Sequence, residues 1–192
     1  MGLDMYLKAD HYCPGGFEHV RESSIEQADA ARFDAILSAF GTGYEEHRNR
    51  YPEGDSLVVS FKVAYWRKAN AIHSWFVRNV QDGKDECQRS YVSREQLTEL
   101  IDACRRILET VVQGDPETRE DAFVGSYQVF PNLTMDLKLA REILPTESGF
   151  FFGNTEYDEW YVTNLESTVS QLEAAMNDSN NELASFYYQA SW

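Results

Sequence analysis

Leu57-Val58-Val59-Ser60-Phe61-Lys62-Val63-Ala64-Tyr65 runs directly into Trp66-Arg67-Lys68-Ala69-Asn70-Ala71-Ile72-His73-Ser74-Trp75-Phe76, and the reading of this stretch decides the fold. The first nine residues alternate with the two-residue period of a strand. Leu57, Val59, Phe61 and Val63 face one way, and Val58, Ser60, Lys62 and Ala64 the other. From Trp66 to about Val80 the period lengthens, so that Ala69, Ile72, Phe76 and Val80 share one face of a helix, and Gly83 ends it.

Working outward, Leu3, Met5 and Leu7 alternate with Asp4, Tyr6 and Lys8 as a half-buried strand does, and Pro14-Gly15-Gly16 breaks the run. Ser24 with Gln27 reads as a capping box for a helix carrying Ile25, Ala28, Phe33, Ile36, Leu37 and Phe40. Gln88 to Val92 reads as a short strand. Ser93-Arg94-Glu95-Gln96 is a second capping box, and its helix has the stripe Leu97, Leu100, Ile101, Cys104, Ile107, Leu108 and Val111. Phe123 to Leu133 fits a strand or an irregular link, followed by a helix from Met135 to Leu144 that Pro145 stops. Gly149 and Gly153 bracket Phe150 to Phe152 as a buried strand. Thr155 is then the cap of a long helix with Glu156, Asp158 and Glu159 in its first turn and the stripe Tyr161, Leu165, Val169, Leu172 and Met176. Leu183 to Trp192 reads as a final strand. Strands and helices alternate without strict βαβ order. The expectation is a single α+β domain over residues 1–192, a small mixed or antiparallel sheet with about four to five helices packed on it.

A chain of 192 residues with 43% apolar residues is long enough to bury a core. No apolar run approaches the ~20 residues of a membrane span, and the start lacks the pattern of a secretory signal. The expected location is cytoplasmic, away from any membrane. Cys13, Cys87 and Cys104 form no C-x-x-C pair, and Cys104 on its helical stripe reads as a small buried hydrophobe.

Charge is unevenly spread. Net charge is −15, and the last 51 residues, after Arg141, hold nine carboxylates and no Lys, Arg or His. Residues 62–106 instead carry nine Lys or Arg against six Asp or Glu. That polarity argues against direct nucleic-acid binding by the acidic third. It fits either a merely well-solvated surface or an acidic face that engages a basic partner.

Two segments carry most of the readable chemistry. One is Tyr65 to Phe76; the other is Gly149-Phe150-Phe151-Phe152-Gly153-Asn154-Thr155-Glu156-Tyr157-Asp158-Glu159-Trp160-Tyr161. Their complementary charge suggests one pocket, with cations of the first facing carboxylates of the second. Read as one helix, Arg67, Asn70 and His73 share a face, so that His73 is a candidate base, Asn70 its orienting neighbour and Arg67 an anion holder. Against this stands an ordinary buried histidine. Glu156 and Glu159 on one helix face invite a hard cation, but capping and an ion pair to Arg67 or Lys68 explain them as well. His11-Tyr12-Cys13 with His19 lacks a second pair at zinc spacing. Neither a metal nor a cofactor is expected, and no nucleophile motif appears. Tyr157, Trp160 and Tyr161 cannot all face inward from one helix, and exposed Tyr and Trp are favoured at protein interfaces.

The blocks Met1-Gly2-Leu3-Asp4-Met5-Tyr6-Leu7, Tyr65 to His73 and Gly149 to Tyr161 resemble those of a group of small proteins carried by bacteriophages, prophages and bacteria. The resemblance spans most of the chain and brings no established activity. It implies a mobile-element setting, in which small acidic proteins act as inhibitors of host defence. The expected function is therefore an accessory protein that inhibits a host defence complex, such as a CRISPR effector, by occupying its basic, nucleic-acid-binding surface. Glu156, Asp158, Glu159, Trp160, Glu166 and Glu173 form the expected partner-binding face. The alternative is a small-molecule enzyme or sensor whose pocket lies between Arg67, Asn70, His73 and Glu156 to Tyr161, with His73 open to solvent. The chain is expected to act as a monomer or homodimer.

Overall fold

A computed structural model describes residues 2–14, 35, 56–115, 117–121, 125–129, 132–149 and 151–192. Its contacts divide the chain into two compact units, Asp10–Phe61 and Met1–Ala9 with Lys62–Trp192. The helix expected after Ser24 lies outside the described residues except for Ala35, which is helical.

The fold is α+β, with an open antiparallel sheet of four strands. Its strands are β1 (Asp4–Pro14), β2 (Ser56–Arg67), β3 (Ser90–Val92) and β6 (Ser185–Ser191), in the order β2-β1-β6-β3. A separate hairpin pairs β4 (Glu117–Asp121) with β5 (Gly125–Val129); β5 falls in the Phe123 to Leu133 stretch that fits a strand or a link, and β4 has no counterpart in the sequence reading. The described helices are α1 (Asn70–Asn79), α2 (Arg94–Leu108), α3 (Leu137–Ile143) and α4 (Glu159–Asn177).

The two central strands supply the clearest inward face. Met5, Leu7 and Ala9 of β1 and Phe186, Tyr188 and Ala190 of β6 are buried, and their alternating neighbours are more exposed. Against that face pack α1, through Ile72 and Phe76, and α2 with α4. Phe76 lies flat on Tyr188, with ring centroids 3.9 Å apart and planes 7° from parallel. On α2 the buried set is Leu97, Leu100, Ile101, Cys104 and Ile107, the stripe expected, started by the Ser93–Gln96 capping box. Burial pushes the Cys104 thiol up to about 12. Arg94 donates to the Met176 carbonyl at 3.3 Å and to that of Asn181, a cation placed favourably at the end of α4.

The alternation read in β2 does not hold along its whole length. Ser60 bonds Asp10 on one face and Phe61 packs its ring edge-on to His11 on the other. Lys62 lies over Tyr6 and Tyr65, yet Ala64 and Trp66 are the buried residues that follow. Lys62 and Tyr65 therefore share a face while three residues apart, the one-residue slip that a β-bulge produces. Phe61 itself is largely exposed.

Other boundaries also move. Phe151 and Phe152 form a turn rather than a strand, and both are only half-buried. Thr155 does not cap α4. That helix starts four residues later at Glu159, with Asp158 accepting from the Tyr161 N–H at 3.1 Å. No described helix is long and apolar enough to cross a membrane.

Candidate functional site

The two aromatic-polar segments meet. Strand β2 continues through Trp66 and Arg67, and the chain then reverses sharply at Lys68, which adopts φ +57°, a conformation uncommon outside glycine. Gly153, at φ +91°, lies against this reversal. A Cβ there would sit 3.2 Å from Lys68 Cβ and 3.4 Å from its carbonyl, so both backbone angle and close approach call for glycine.

Between these parts lies a cavity of about 550 Å³. Tyr65 to Lys68 of the β2 end form one wall, and the first residues of α1 form the base. The opposite wall is α4, through Trp160, Tyr161, Thr163, Asn164, Leu165 and Ser167. Thr146, Gly153, Asn154 and Glu156 complete the rim. Its size lies within the range typical of small-molecule sites, ~300–1,000 Å³. Beside it α4 runs along the free edge of β2, where Gln171 Oε1 accepts the outward N–H of Tyr65 at 2.8 Å. Trp66 Nε1 donates to Thr168 Oγ1 at 2.9 Å and ties the same two elements in the core.

Asn70 fixes the rim. Its amide nitrogen donates to the carbonyls of Phe152 (3.1 Å) and Asn154 (2.7 Å), and its oxygen accepts from the Glu147 N–H at 3.1 Å. With the Leu3 N–H, which donates to the Phe151 carbonyl at 3.1 Å, this buried side chain ties the segment down. Asn70 is a positioning residue: it holds the segment that carries Gly153, Asn154 and Glu156.

His73 is not in the cavity. It is 1% exposed and faces the core, which overturns the solvent-facing base of the sequence reading. The reason lies in the boundary: Arg67 and Lys68 belong to the strand and the turn, so Arg67 and His73 were never on one helix face. His73 Nε2 lies 3.0 Å from Asp85 Oδ2 and Nδ1 lies 2.7 Å from the Tyr188 hydroxyl. Burial raises the Tyr188 phenol well above its ordinary value, and because a carboxylate oxygen only accepts, His73 Nε2–H donates to Asp85. Phe152 packs edge-on against the imidazole at 5.1 Å, and the Trp192 indole donates to Asp85 Oδ1 at 3.1 Å. This chain of contacts pins the 81–89 loop to the last strand.

The cavity's charged groups are unspent. Among the described residues the side chains of Arg67 and Lys68 make no ion pair or hydrogen bond, and neither joins Glu156 as expected. Glu156 precedes α4 and shares no helix face with Glu159, which removes the paired-carboxylate arrangement. No three His, Cys, Asp or Glu side chains among the described residues gather as a metal would need; His19 lies outside them.

The expected partner-binding residues separate into different surroundings. Asp158 is occupied as a cap and accepts from Asn154 at 3.0 Å, and Glu173 pairs with Arg105. Glu159 is half-buried, whereas Glu166 is exposed and Trp160 is 72% exposed. Tyr161 is buried and donates to the Leu144 carbonyl at 2.9 Å, so the three aromatic residues do split between core and surface. Thr163, Asn164 and Ser167 went unread as site residues. Their signal was present: with Trp160 they recur at helical spacing as one polar face. No family model, curated protein or solved structure matches the chain, so its chemistry is read from this geometry alone.

Proposed function

We propose that this protein binds a small anionic molecule in the cavity between the end of β2 and α4, and acts as a binding or sensing protein. One observation carries the reading: two adjacent cations, Arg67 and Lys68, line a cavity of about 550 Å³ and have no ion-pair or hydrogen-bond partner among the described residues. Unpaired cations beside a concave, partly apolar surface are what an anion needs. The net charge of −15 opposes an anion only weakly, because exposed charges more than ~8 Å away are largely screened at physiological ionic strength.

Titration calorimetry with phosphate, pyrophosphate and citrate tests this. Arg67→Gln and Lys68→Gln should each weaken binding about tenfold, the size of one charged hydrogen bond. Binding that both variants leave unchanged, or no binding of any of the three anions, would overturn it.

A second reading keeps the accessory-protein function: a chain of the mobile-element type that inhibits a host defence complex. It is favoured by Trp160, a large indole left 72% exposed on the helix that also carries exposed Glu166. In this reading Trp160 supplies affinity and the acidic side of α4 steers approach to a basic surface. Reversing charge at Glu159, Glu166 and Glu173 should then abolish capture of a nucleic-acid-handling complex at low salt. Capture that is unaltered by the reversal, with the same salt dependence, would remove the idea.

A further inference from the structure

The cavity holds more than a cation pair, and its remaining free groups narrow the ligand. Trp160 lines it with an indole that stacks on no other ring among the described residues. Glu156 lines it with an exposed carboxylate that accepts no hydrogen bond from a described side chain or backbone N–H. Folding has used neither group. A simple inorganic or aliphatic anion would engage Arg67 and Lys68 and gain nothing from the indole. It would also be repelled by Glu156. A cationic ligand would suit Glu156 but face two cations. One ligand chemistry uses all four side chains: an anionic group at one end, hydroxyl donors in the middle and a planar ring.

We infer that the cavity takes a nucleoside phosphate, with the phosphate on Arg67 and Lys68, the sugar hydroxyls donating to Glu156 and the base stacked on Trp160. This rests on the anion-binding reading above and names the ligand within it. The roles follow from the chemistry of each group. Guanidinium and ammonium match phosphate oxygens. A carboxylate is an acceptor only, so it selects a diol. An indole face accepts any base, and such stacking contributes ~1–3 kcal/mol per base. Selectivity among bases is therefore weak, while selectivity for a nucleoside over a bare phosphate is strong.

The test is calorimetry without divalent cations, using the four ribonucleoside 5′-monophosphates and 5′-triphosphates alongside inorganic phosphate and tripolyphosphate. The expected result is at least tenfold tighter binding of one nucleotide series than of the matching inorganic anion. Trp160→Ala should erase that difference and leave the inorganic anion's affinity unchanged. Because Trp160 is a surface residue, this variant keeps the fold, which circular dichroism would verify. Glu156→Gln should reduce the preference for ribose over 2′-deoxyribose nucleotides. If inorganic anions bind as tightly as nucleotides, or Trp160→Ala leaves the difference intact, the nucleotide inference fails and the anion pocket stands. If no member of the panel binds, both fail.

Discussion

Replacing His73 with Ala should lower the free energy of unfolding by about 3 kcal/mol, the sum of a buried cavity and a stranded hydroxyl. The imidazole is 1% exposed and fills the space between Phe152 and Tyr188. Once it is gone, the Tyr188 hydroxyl, in a residue that is 0% exposed, loses its hydrogen-bond partner. Asp85 is affected less, since its side chain is 24% exposed and retains the Trp192 indole. Tyr188→Phe removes the hydroxyl alone and should cost ~1 kcal/mol. The double variant should then be less destabilised than the two single changes added together, because both remove the same bond. Urea unfolding of the four proteins measures this. A His73→Ala change within about 0.5 kcal/mol of the parent would mean that the network contributes no more than an ordinary surface contact.

Asn70→Ala should cost about 2 kcal/mol and release the rim of the cavity. Three hydrogen bonds disappear together, two from the amide to the Phe152 and Asn154 carbonyls and one from the Glu147 N–H. The released groups lie on a half-exposed segment, so water restores part of the loss and keeps the cost below that of a core cavity. Hydrogen exchange should localise the effect: peptides covering 145–158 exchange faster, while those of α2 stay protected. Nucleotide affinity should fall as well, because Glu156, the proposed acceptor for the sugar hydroxyls, stands on the released segment with Gly153 and Asn154. Asn70→Asp is the sharper comparison. It can still accept from Glu147 but turns a carboxylate towards two carbonyl oxygens, and should be at least as damaging as Ala. Unchanged exchange across 145–158 in both variants would show that the rim is held by other contacts.

These two residues also mark the limit of sequence reading. Asn70 and His73 were singled out together as neighbours on one helix face, and both do lie on α1. Their roles diverged because the helix begins at Asn70, which directs one side chain to the rim and the other into the core. The run Phe150 to Phe152 looked like a strand because it is apolar and bracketed by glycines. Phe151 and Phe152 instead form a turn whose carbonyls accept from the Leu3 backbone N–H and the Asn70 amide, and no local pattern announces a hydrogen bond from a residue 82 positions away. The α4 boundary was misplaced for a local reason: Thr155 and Asp158 are both competent caps, and Asp158 is the one engaged by Asn154 and the Tyr161 N–H.

By itself the sequence determined the α+β class, most strands and helices, the capping box and buried stripe of α2, and the two segments that carry the chemistry. Each follows from short-range physics: side-chain periodicity, hydrogen-bonding caps and the conformational limits of glycine and proline. Only the tertiary structure decided that the segments meet, that Arg67 and Lys68 border a cavity instead of pairing with Glu156, and that His73 is sealed beside Asp85 and Tyr188. It also decided the slip in β2 between Lys62 and Tyr65. All four depend on which distant residue arrives opposite, and that is set by the packing of the whole core.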